Sequence, residues 1–228
     1  MKIISNQQNM YGFRNKNVLL LHCNGTDGST TFTDSATGKT VTPHGTMQID
    51  TAQSKFGGAS ALFDGDSDYL TLADSDDWNF GTYDWTLEGF IRPNGSVGTS
   101  FLFSQYIDAN NRLDFSLNAT YFVFMASKSS TVYAYYLGDS TAITANNLHH
   151  FAFVRFGSNF YIYLNGKQVA LTVITAISTN AMPDLAQTAS IGVRADINYF
   201  FNGWLDEYRI TKGVARYLKN FTVPNREF

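Results

Sequence analysis

Short segments in which hydrophobic and polar residues alternate recur along most of the chain, at intervals of about ten residues. Alternation with a period of two predicts strands that bury one face, and no segment shows the 3.6-residue period of a helix. The clearest pair is 149–156 and 159–164, followed by Asn165-Gly166, a dipeptide that favours a type I′ hairpin turn. The sequence therefore predicts an all-β fold. The predicted strands are 18–23, 31–34, 45–50, 59–63, 69–72, 85–92, 101–107, 112–117, 121–126, 131–137, 149–156, 159–164, 167–173, 190–194 and 201–211.

The last predicted strand, 201–211, has an unusual composition, since two adjacent carboxylates stand among large aromatic residues. Strict alternation places Asp206 on one face with Trp204 and Tyr208, and Glu207 on the other face with Arg209. Glu207 then has Arg209 as its ion-pair partner, whereas Asp206 has no partner nearby in sequence. An unpaired buried carboxylate is costly, so we expect Asp206 to point to solvent or to bind a cation.

Composition narrows the class of protein. The chain has 228 residues, of which 44% are hydrophobic and 15% aromatic, enough for one large β domain. Only 15% are charged, so Ser, Thr, Asn and Gly must supply the surface, which is typical of extracellular or particle-exposed β proteins. A net charge of −3 excludes the basic surface that nucleic acid binding requires. The single cysteine, Cys23, excludes an internal disulfide.

The chain divides into three segments by composition. Residues 1–16 form a polar N-terminal arm, residues 17–212 carry the predicted strands, and residues 213–228 form a basic strap that we expect to pack along one edge of the β domain. Residues 1–17 lack the apolar stretch of a signal peptide. No segment is long and apolar enough to span a membrane as a helix, so we expect no membrane partner.

Several short motifs occur in a specific order along the chain. They are LLLH at 19–22, GSTTFTD at 28–34, SKFGGAS at 54–60, LFDG at 62–65, DDWNFG at 76–81, WTLEGFI at 85–91, HFAFVR at 150–155, YLNG at 163–166 and GWLDEYR at 203–209. Their order resembles that of laminin-G-like, concanavalin-A-like jelly-roll domains, which are common in bacteriophage and environmental bacterial proteins. The resemblance covers roughly residues 17–226 and implies a two-sheet antiparallel sandwich with ligand sites on loops or on the concave sheet.

The resemblance also implies one structural Ca²⁺, because related folds bind this ion with an Asp of the late strand and backbone oxygens of two loops. The matching positions are Asp206, Asn24 and Gly57 or Gly58, and oxygen ligands are those that Ca²⁺ prefers. Asn24 stands where the family usually has an acid, which weakens the site. In the alternative without metal, Asp206 or Glu207 pairs with Arg209, Arg155 or Lys55.

Catalysis has little support in the sequence. Glycoside hydrolysis needs two carboxylates about 5–10 Å apart across a cleft. Sugar-cleaving relatives of this fold carry them as Glu-x-Asp-x-Glu or a similar motif on one strand, and the motif is missing here. Glu88, Glu207 and Glu227 are the only glutamates. We therefore predict that the protein is not an enzyme.

Ligand binding has more candidates, because loops between the longer strands combine aromatic, amide and charged side chains. Tyrosine rings beside Asn, Asp and Arg suit sugar recognition by stacking and hydrogen bonding to hydroxyls. The alternative is that these are ordinary loops with partly buried tyrosines. The candidate ligand-binding residues are Tyr106, Asp108, Asn110, Arg112, Arg194 and Tyr199.

The leading hypothesis is a non-catalytic carbohydrate- or surface-binding module, part of a phage tail, fibre or capsid decoration. Its partners would be a glycan or cell-surface polymer and other virion or assembly proteins. Its expected location is a virion or extracellular surface, without a recognisable signal peptide. The alternative hypothesis is a structural or assembly protein with no glycan ligand, and the third is a glycan-active enzyme.

Overall fold

The computed structural model describes residues 17–194, 196 and 198–228. These residues form sixteen β-strands in two antiparallel sheets of eight strands each, stacked as a sandwich. The described part of the chain contains no helix that is long and apolar enough to cross a membrane. The prediction of an all-β jelly-roll sandwich is confirmed, whereas the N-terminal arm, residues 1–16, lies outside the described residues.

The first sheet is built around the late strand β16 and is ordered β13-β12-β11-β6-β16-β4-β3. One edge of β16 pairs with β6, while the other pairs with β4 in its first half and β1 in its second. The strands are β1 (Asn17–Leu21), β3 (Gln48–Asp50), β4 (Ser60–Asp64), β6 (Trp85–Pro93), β11 (His149–Phe156), β12 (Asn159–Leu164), β13 (Lys167–Gln168) and β16 (Asn202–Lys212).

The second sheet is ordered β14-β10-β9-β8-β7-β15-β5-β2. Strands β7 to β10 follow one another along the chain and pair as consecutive hairpins. The strands are β2 (Thr42–His44), β5 (Tyr69–Leu72), β7 (Ser100–Asp108), β8 (Asn111–Leu117), β9 (Tyr121–Lys128), β10 (Thr131–Asp139), β14 (Leu171–Thr175) and β15 (Ala189–Ile191).

The core between the sheets is rich in aromatic rings. Phe115 of β8 lies near its centre and is fully buried. Its ring centroid is 4.8 Å from that of Phe124 in the same sheet, and 5.3 and 5.4 Å from those of Trp85 and Phe153 in the opposite sheet. Such ring pairs stabilise the fold beyond the area that they bury, so the aromatic content of the sequence is used to join the two sheets.

Strand β16 contains a β-bulge that changes which side chains face the core. Its pairing with β6 shifts register between Asp206 and Arg209, and Glu207 has a positive φ of 48°. Leu205 and Tyr208 therefore both pack in the core, whereas Asp206 and Arg209 lie on the opposite, outer face. The prediction of strict alternation along β16 was wrong, because the bulge inserts one extra residue and reverses which face each later side chain points to.

The predicted strand 167–173 is two strands in the structure. Lys167 and Gln168 pair with β12 in the first sheet, while Leu171–Thr175 pairs with β10 in the second. The chain crosses from one sheet to the other between them. Alternation continues through this crossing, so the sequence pattern alone does not reveal it.

Residues 213–228, the C-terminal strap, cross the outer face of the first sheet rather than follow an edge. Arg216 N donates to Thr86 Oγ1 on β6 at 3.0 Å, and Phe221 N donates to the Gly166 carbonyl at the turn after β12 at 2.9 Å. The strap then returns to β16, where Phe228 N donates to Glu207 Oε2 at 2.7 Å. These contacts place the strap against β6, the turn after β12 and β16.

Candidate functional site

The outer face of the second sheet carries a guanidinium between two tyrosine rings. Arg194, in the loop after β15, lies 4.6 Å from the ring centroid of Tyr106 on β7 and 4.7 Å from that of Tyr199. Asp196 binds Arg194 Nε and Nη2 at 2.7 and 2.6 Å, which fixes the guanidinium and neutralises its charge. The side chain of Tyr199 remains 49% exposed, so an aromatic surface is available to a ligand.

Asp114 of β8 adds a buried carboxylate to this face. Its neighbours Leu113 and Phe115 point into the core, so alternation directs Asp114 to the outer face. Ser104 Oγ on β7 donates to Asp114 Oδ1 at 2.7 Å, while Oδ2 has no hydrogen-bond partner among the described residues. Burial raises the pKa of Asp114 to about 7, although the hydrogen bond from Ser104 and the charge of Arg112 favour its ionised form.

Arg112, two residues before Asp114, is partly buried and has few strong hydrogen-bond partners for its guanidinium. Its Nη1 lies 3.8 Å from Asp114 Oδ2, beyond hydrogen-bond distance, and its Nη2 donates to the thioether sulfur of Met125, a weak acceptor. Its Nε has no hydrogen-bond partner among the described residues, and neither has the hydroxyl of Ser127, the cross-strand neighbour of Arg112. Three polar groups with unsatisfied hydrogen-bonding capacity thus lie side by side on β8 and β9: the Asp114 carboxylate, the Arg112 guanidinium and the Ser127 hydroxyl.

Four of the six predicted ligand-binding residues come together here. Tyr106 and Arg112 are direct cross-strand partners, and Arg194 acts electrostatically on Asp114 from the loop that also holds Tyr199. We call Tyr106, Arg112, Asp114, Arg194 and Tyr199 the candidate face. Whether it binds a ligand stays a prediction.

The other two predicted residues, Asp108 and Asn110, lie at the turn between β7 and β8. Asp108 Oδ1 accepts hydrogen bonds from Asn110 N at 2.7 Å and from the side-chain amide of Asn111 at 3.0 Å. This pattern is ordinary turn chemistry, so the Asp108 carboxylate is already engaged. The structure does not place these two side chains with the candidate face.

Asp114 was missed by sequence reasoning, which considered the loops and not the strand between them. Asp114 is one of three alternating polar residues of this strand, with Arg112 and Ser116, so the sequence pattern contains no signal that singles it out. Its burial and its single hydrogen bond depend on Ser104 and Arg194, which are brought to it by the fold.

The predicted metal ligand Asp206 lies on the outer face of the first sheet and is 1% exposed. Its Oδ2 accepts hydrogen bonds from the backbone N–H groups of Lys55 at 2.5 Å and Phe56 at 3.1 Å. Its Oδ1 has no hydrogen-bond partner among the described residues. Burial raises the pKa of Asp206 to about 6, against the effect of the two N–H groups.

The two loop positions predicted with Asp206 lie near it. The Asn24 side chain packs directly on the backbone of Gly57, where a Cβ would overlap Asn24 Oδ1, and it donates to Glu227 Oε1 at 3.0 Å. Gly58 follows at φ +80° with open space where a side chain would stand. No group of three or more His, Cys, Asp or Glu able to hold a metal occurs in the described ranges. A cation here would therefore rely on Asp206 Oδ1 with amide and backbone oxygens, a donor set that fits Ca²⁺.

The expected pairing of Glu207 with Arg209 was wrong. Glu207 Oε1 instead lies 2.7 Å from His22 Nδ1, and its Oε2 accepts from Phe228 N. Arg209 Nη2 binds Glu88 Oε1 at 2.6 Å. Both side chains lie on the outer face of the first sheet, but each is bound by a different partner there.

The other cations named as possible partners of these acids are engaged differently. Arg155 donates to the backbone carbonyls of Gly81 and Asn180, each at 2.8 Å. Lys55 reaches Asp206 through its backbone N–H, while its ammonium lies over the rings of Phe56 and Phe90. Asp206 Oδ1 therefore keeps an unused lone pair on a buried atom.

Comparison with known proteins supports the same architecture. The binding domain of Paraclostridial Mosquitocidal Protein 1 is similar at 14% identity and a TM-score of 0.65, over 89% of this chain and 50% of that one. Domain 4 of AbnA, a GH43 extracellular arabinanase from Geobacillus stearothermophilus solved with arabinotriose, is similar at 18% identity and a TM-score of 0.61, over 88% of this chain and 94% of that one. Botulinum neurotoxin type C, whose cell entry depends on interaction with two ganglioside molecules, is similar at 12% identity and a TM-score of 0.62, over 90% of this chain and 50% of that one.

These identities show the fold alone, and the chain spans about half the length of the two toxin chains. No curated protein matches the sequence. The family model described as the concanavalin A-like lectin/glucanases superfamily matches residues 64–215, about two thirds of the chain. This match confirms the resemblance seen in the sequence motifs, and the chain belongs to this superfamily.

Proposed function

We propose that the protein is a non-catalytic carbohydrate- or surface-binding module that binds its ligand on the candidate face. The observation that carries this proposal is the exposed Tyr199 ring beside Arg194, which Asp196 and Tyr106 hold in place. A sugar ring presents apolar C–H groups to an aromatic face and hydroxyls at its edge. The tyrosines supply the aromatic faces, and Asp114 and Arg112 supply polar groups at their side.

The comparisons support a binding role. Domain 4 of AbnA was solved with arabinotriose, and cell entry of botulinum neurotoxin type C, a toxin chain of which half is similar to this one, depends on interaction with two ganglioside molecules. The residues that bind them are not transferred at such low identity. The proposal for this chain depends on its own tyrosine–arginine arrangement.

The absence of catalysis is part of the proposal. Glu88 is fully buried under the C-terminal strap and bound to Arg209 and Tyr217, and Glu207 is bound to His22 and Phe228 N. Neither carboxylate is placed to act on a ligand at the candidate face, which belongs to the other sheet. Assays of polysaccharide cleavage should show no turnover.

The binding role is tested with a panel of arabinotriose, other neutral oligosaccharides and ganglioside oligosaccharides, measured by isothermal titration calorimetry. At least one probe should bind the wild-type protein. Tyr199→Ala should weaken this binding about tenfold or more, since a stacked ring contributes on the order of 1.4 kcal/mol. Tyr83→Ala is the matched control, because Tyr83 is 60% exposed and lies away from the candidate face. Binding by no probe, or equal loss in both variants, would refute the proposal.

We also propose that Asp206 helps to hold one structural Ca²⁺, with Asn24 and the Gly57–Gly58 turn supplying further oxygens. The support is the unpartnered Asp206 Oδ1 at a buried position. Ca²⁺ should raise the thermal midpoint relative to chelator, because a ligand that binds only the folded state stabilises it. Asp206→Asn should remove this shift, while Asp66→Asn, at an exposed turn, should keep it. An equal midpoint with Ca²⁺ and chelator in the wild-type protein would exclude the site.

The composition of the chain and its motif resemblance bear on where the protein acts. We propose a virion or extracellular surface, from the weakly charged, Ser-, Thr- and Asn-rich composition and the motif resemblance. Mass spectrometry of purified particles should find the protein among the structural components. Its presence there without saccharide binding would favour the alternative, a structural or assembly protein.

A further inference from the structure

The candidate face contains a buried carboxylate that is incompletely bonded. Asp114 is 2% exposed, and among the described residues only its Oδ1 has a hydrogen-bond donor, the Ser104 hydroxyl at 2.7 Å. A buried acceptor without a donor is unfavourable, so a fold keeps one where another interaction compensates. Because Asp114 points to the outer face and not to the core, a ligand can supply the missing donor.

Arg112 covers this carboxylate without bonding to it. The closest guanidinium nitrogen is 3.8 Å from Asp114 Oδ2, and the contact that Arg112 does make is to the weakly accepting sulfur of Met125. A guanidinium with such partners loses little when its side chain rotates outward. Rotation exposes Asp114 Oδ2 and directs unsatisfied Arg112 N–H groups to the same place.

We propose that Asp114 is a hydroxyl-recognising residue, exposed when Arg112 moves aside, and that its ligand is a neutral, polyhydroxylated saccharide. One sugar hydroxyl donates its hydrogen to Asp114 Oδ2, and the same or a neighbouring hydroxyl oxygen accepts from Arg112. This inference extends the proposed function, since it takes the candidate face as the binding surface.

The charges around Asp114 favour a neutral ligand over an anionic one. Arg194 is already neutralised by Asp196 through two short hydrogen bonds. Arg112 is the one remaining cation among the described residues of the candidate face, and it stands beside Asp114 itself. A ligand carboxylate next to the ionised Asp114 would be repelled, whereas a hydroxyl can serve both side chains at once.

The inference makes binding depend on pH. The groups that face Asp114 are Arg112 on its own strand, Tyr106 and Ser104 from β7, the uncharged Met125 and Ser127 from β9, and Arg194 with Asp196 from the loop after β15. Burial raises the pKa of Asp114 to about 7. Only the ionised carboxylate accepts at both oxygens, so affinity is full above this pKa and falls as pH drops through it. For one proton the loss between pH 8 and pH 6 is about tenfold.

The test is calorimetry of the intact protein with arabinotriose, a panel of other neutral oligosaccharides and sialylated ganglioside oligosaccharides, at pH 6, 7 and 8. A neutral probe should bind about tenfold more tightly at pH 8 than at pH 6. Asp114→Asn keeps the acceptor for Ser104 but replaces Oδ2 with a donor, so binding should weaken about tenfold to a hundredfold and lose its pH dependence. Asp66→Asn is the control and should match the wild type.

Two further variants separate the possible outcomes. Tyr199→Ala should bind weakly but keep the pH dependence, because it leaves Asp114 intact. Ser104→Ala removes a hydrogen bond that favours the ionised carboxylate, so the pH midpoint of binding should move upward.

The result for Asp114→Asn decides this inference alone. It would be overturned if the variant binds like the wild type and near-ultraviolet circular dichroism shows that the variant is folded. Preference for sialylated probes, with affinity rising at low pH, would do the same, whereas no binding by any probe would overturn the proposed function as well.

Discussion

Replacing Glu88 by glutamine tests the ion-pair cluster that joins the C-terminal strap to the first sheet. Glu88 is fully buried on the outer side of β6. Its Oε1 accepts from Arg209 Nη2 at 2.6 Å and lies 3.4 Å from Arg216 Nε, while its Oε2 accepts from the Tyr217 hydroxyl at 2.7 Å and lies 3.3 Å from His150 Nε2. Glutamine keeps the shape of the side chain but removes the one negative charge of this cluster.

The expected loss is about 3–5 kcal/mol of unfolding free energy, the range for breaking a buried ion pair by removing one partner. The structure supports a value within this range, because two arginines lose their counter-charge in a site that excludes water. Burial opposes ionisation of Glu88, but the charges of Arg209, His150 and Arg216 outweigh it and hold the pKa of Glu88 well below its usual value of 4.5. The stabilisation is therefore present above this usual value and is lost as pH falls through the lowered pKa, so the variant and the wild type should converge only in strong acid.

Urea unfolding followed by tryptophan fluorescence at pH 7 measures this difference. The matched control is Glu227→Gln, since Glu227 is an exposed glutamate and should change stability by less than about 0.5 kcal/mol. Brief trypsin digestion gives a second measure, because release of Arg216 from its contact with Glu88 should speed cleavage within the strap. A Glu88→Gln variant within 1 kcal/mol of the wild type, with an intact strap, would show that the cluster adds little to the fold.

Two other predictions follow from backbone geometry and from a histidine pair. Gly192→Ala should lower the free energy of unfolding in urea by about 3 kcal/mol, because φ is +91° and the new Cβ would stand 2.3 Å from the Phe63 ring. Gly95→Ala is the control and should lose only about 1 kcal/mol, because Gly95 has a similar φ of +78° but open space where the Cβ would stand. The hydrogen bond that His22 donates to Glu207 raises the pKa of His22. This pair therefore stabilises the fold at low pH, and the effect disappears as pH rises through the raised pKa. His22→Gln should be more destabilising at pH 5.5 than at pH 8.5, and equal losses would contradict this expectation.

Much of the fold was predictable from the sequence because its signals are local. The predicted bounds of β5, β11 and β12 agree with the structure, and the hairpin after β12 turns at Asn165, whose φ is +50°, and Gly166. Alternation over six to eight residues and a dipeptide that tolerates positive φ decide these elements without help from distant parts of the chain. The resemblance in motif order then predicted that the strands form a sandwich of two antiparallel sheets.

The candidate site was less predictable, because it depends on contacts between distant segments. Asp114 becomes a buried, half-bonded carboxylate only when Ser104 and Arg112 lie beside it and Arg194 approaches from a loop about eighty residues later. The predictions found Arg112 and Arg194 as separate loop residues. They did not find Asp114, since a single polar residue in a strand has no distinct pattern.

The bulge at Glu207 explains where the two adjacent carboxylates of β16 lie. Their position bears on which of the two sheets is open to a ligand. By reversing the phase of β16, the bulge places both Asp206 and Glu207 on the outer side of the first sheet. There the backbone N–H of Lys55 binds Asp206, and the His22 side chain binds Glu207. Glu207 also receives the backbone N–H of Phe228, so the bulge helps to hold the strap on this face. A ligand would have to displace the strap to reach the first sheet, whereas Tyr199 on the second sheet is already exposed. The proposed binding surface therefore lies on the opposite side of the sandwich from these two carboxylates.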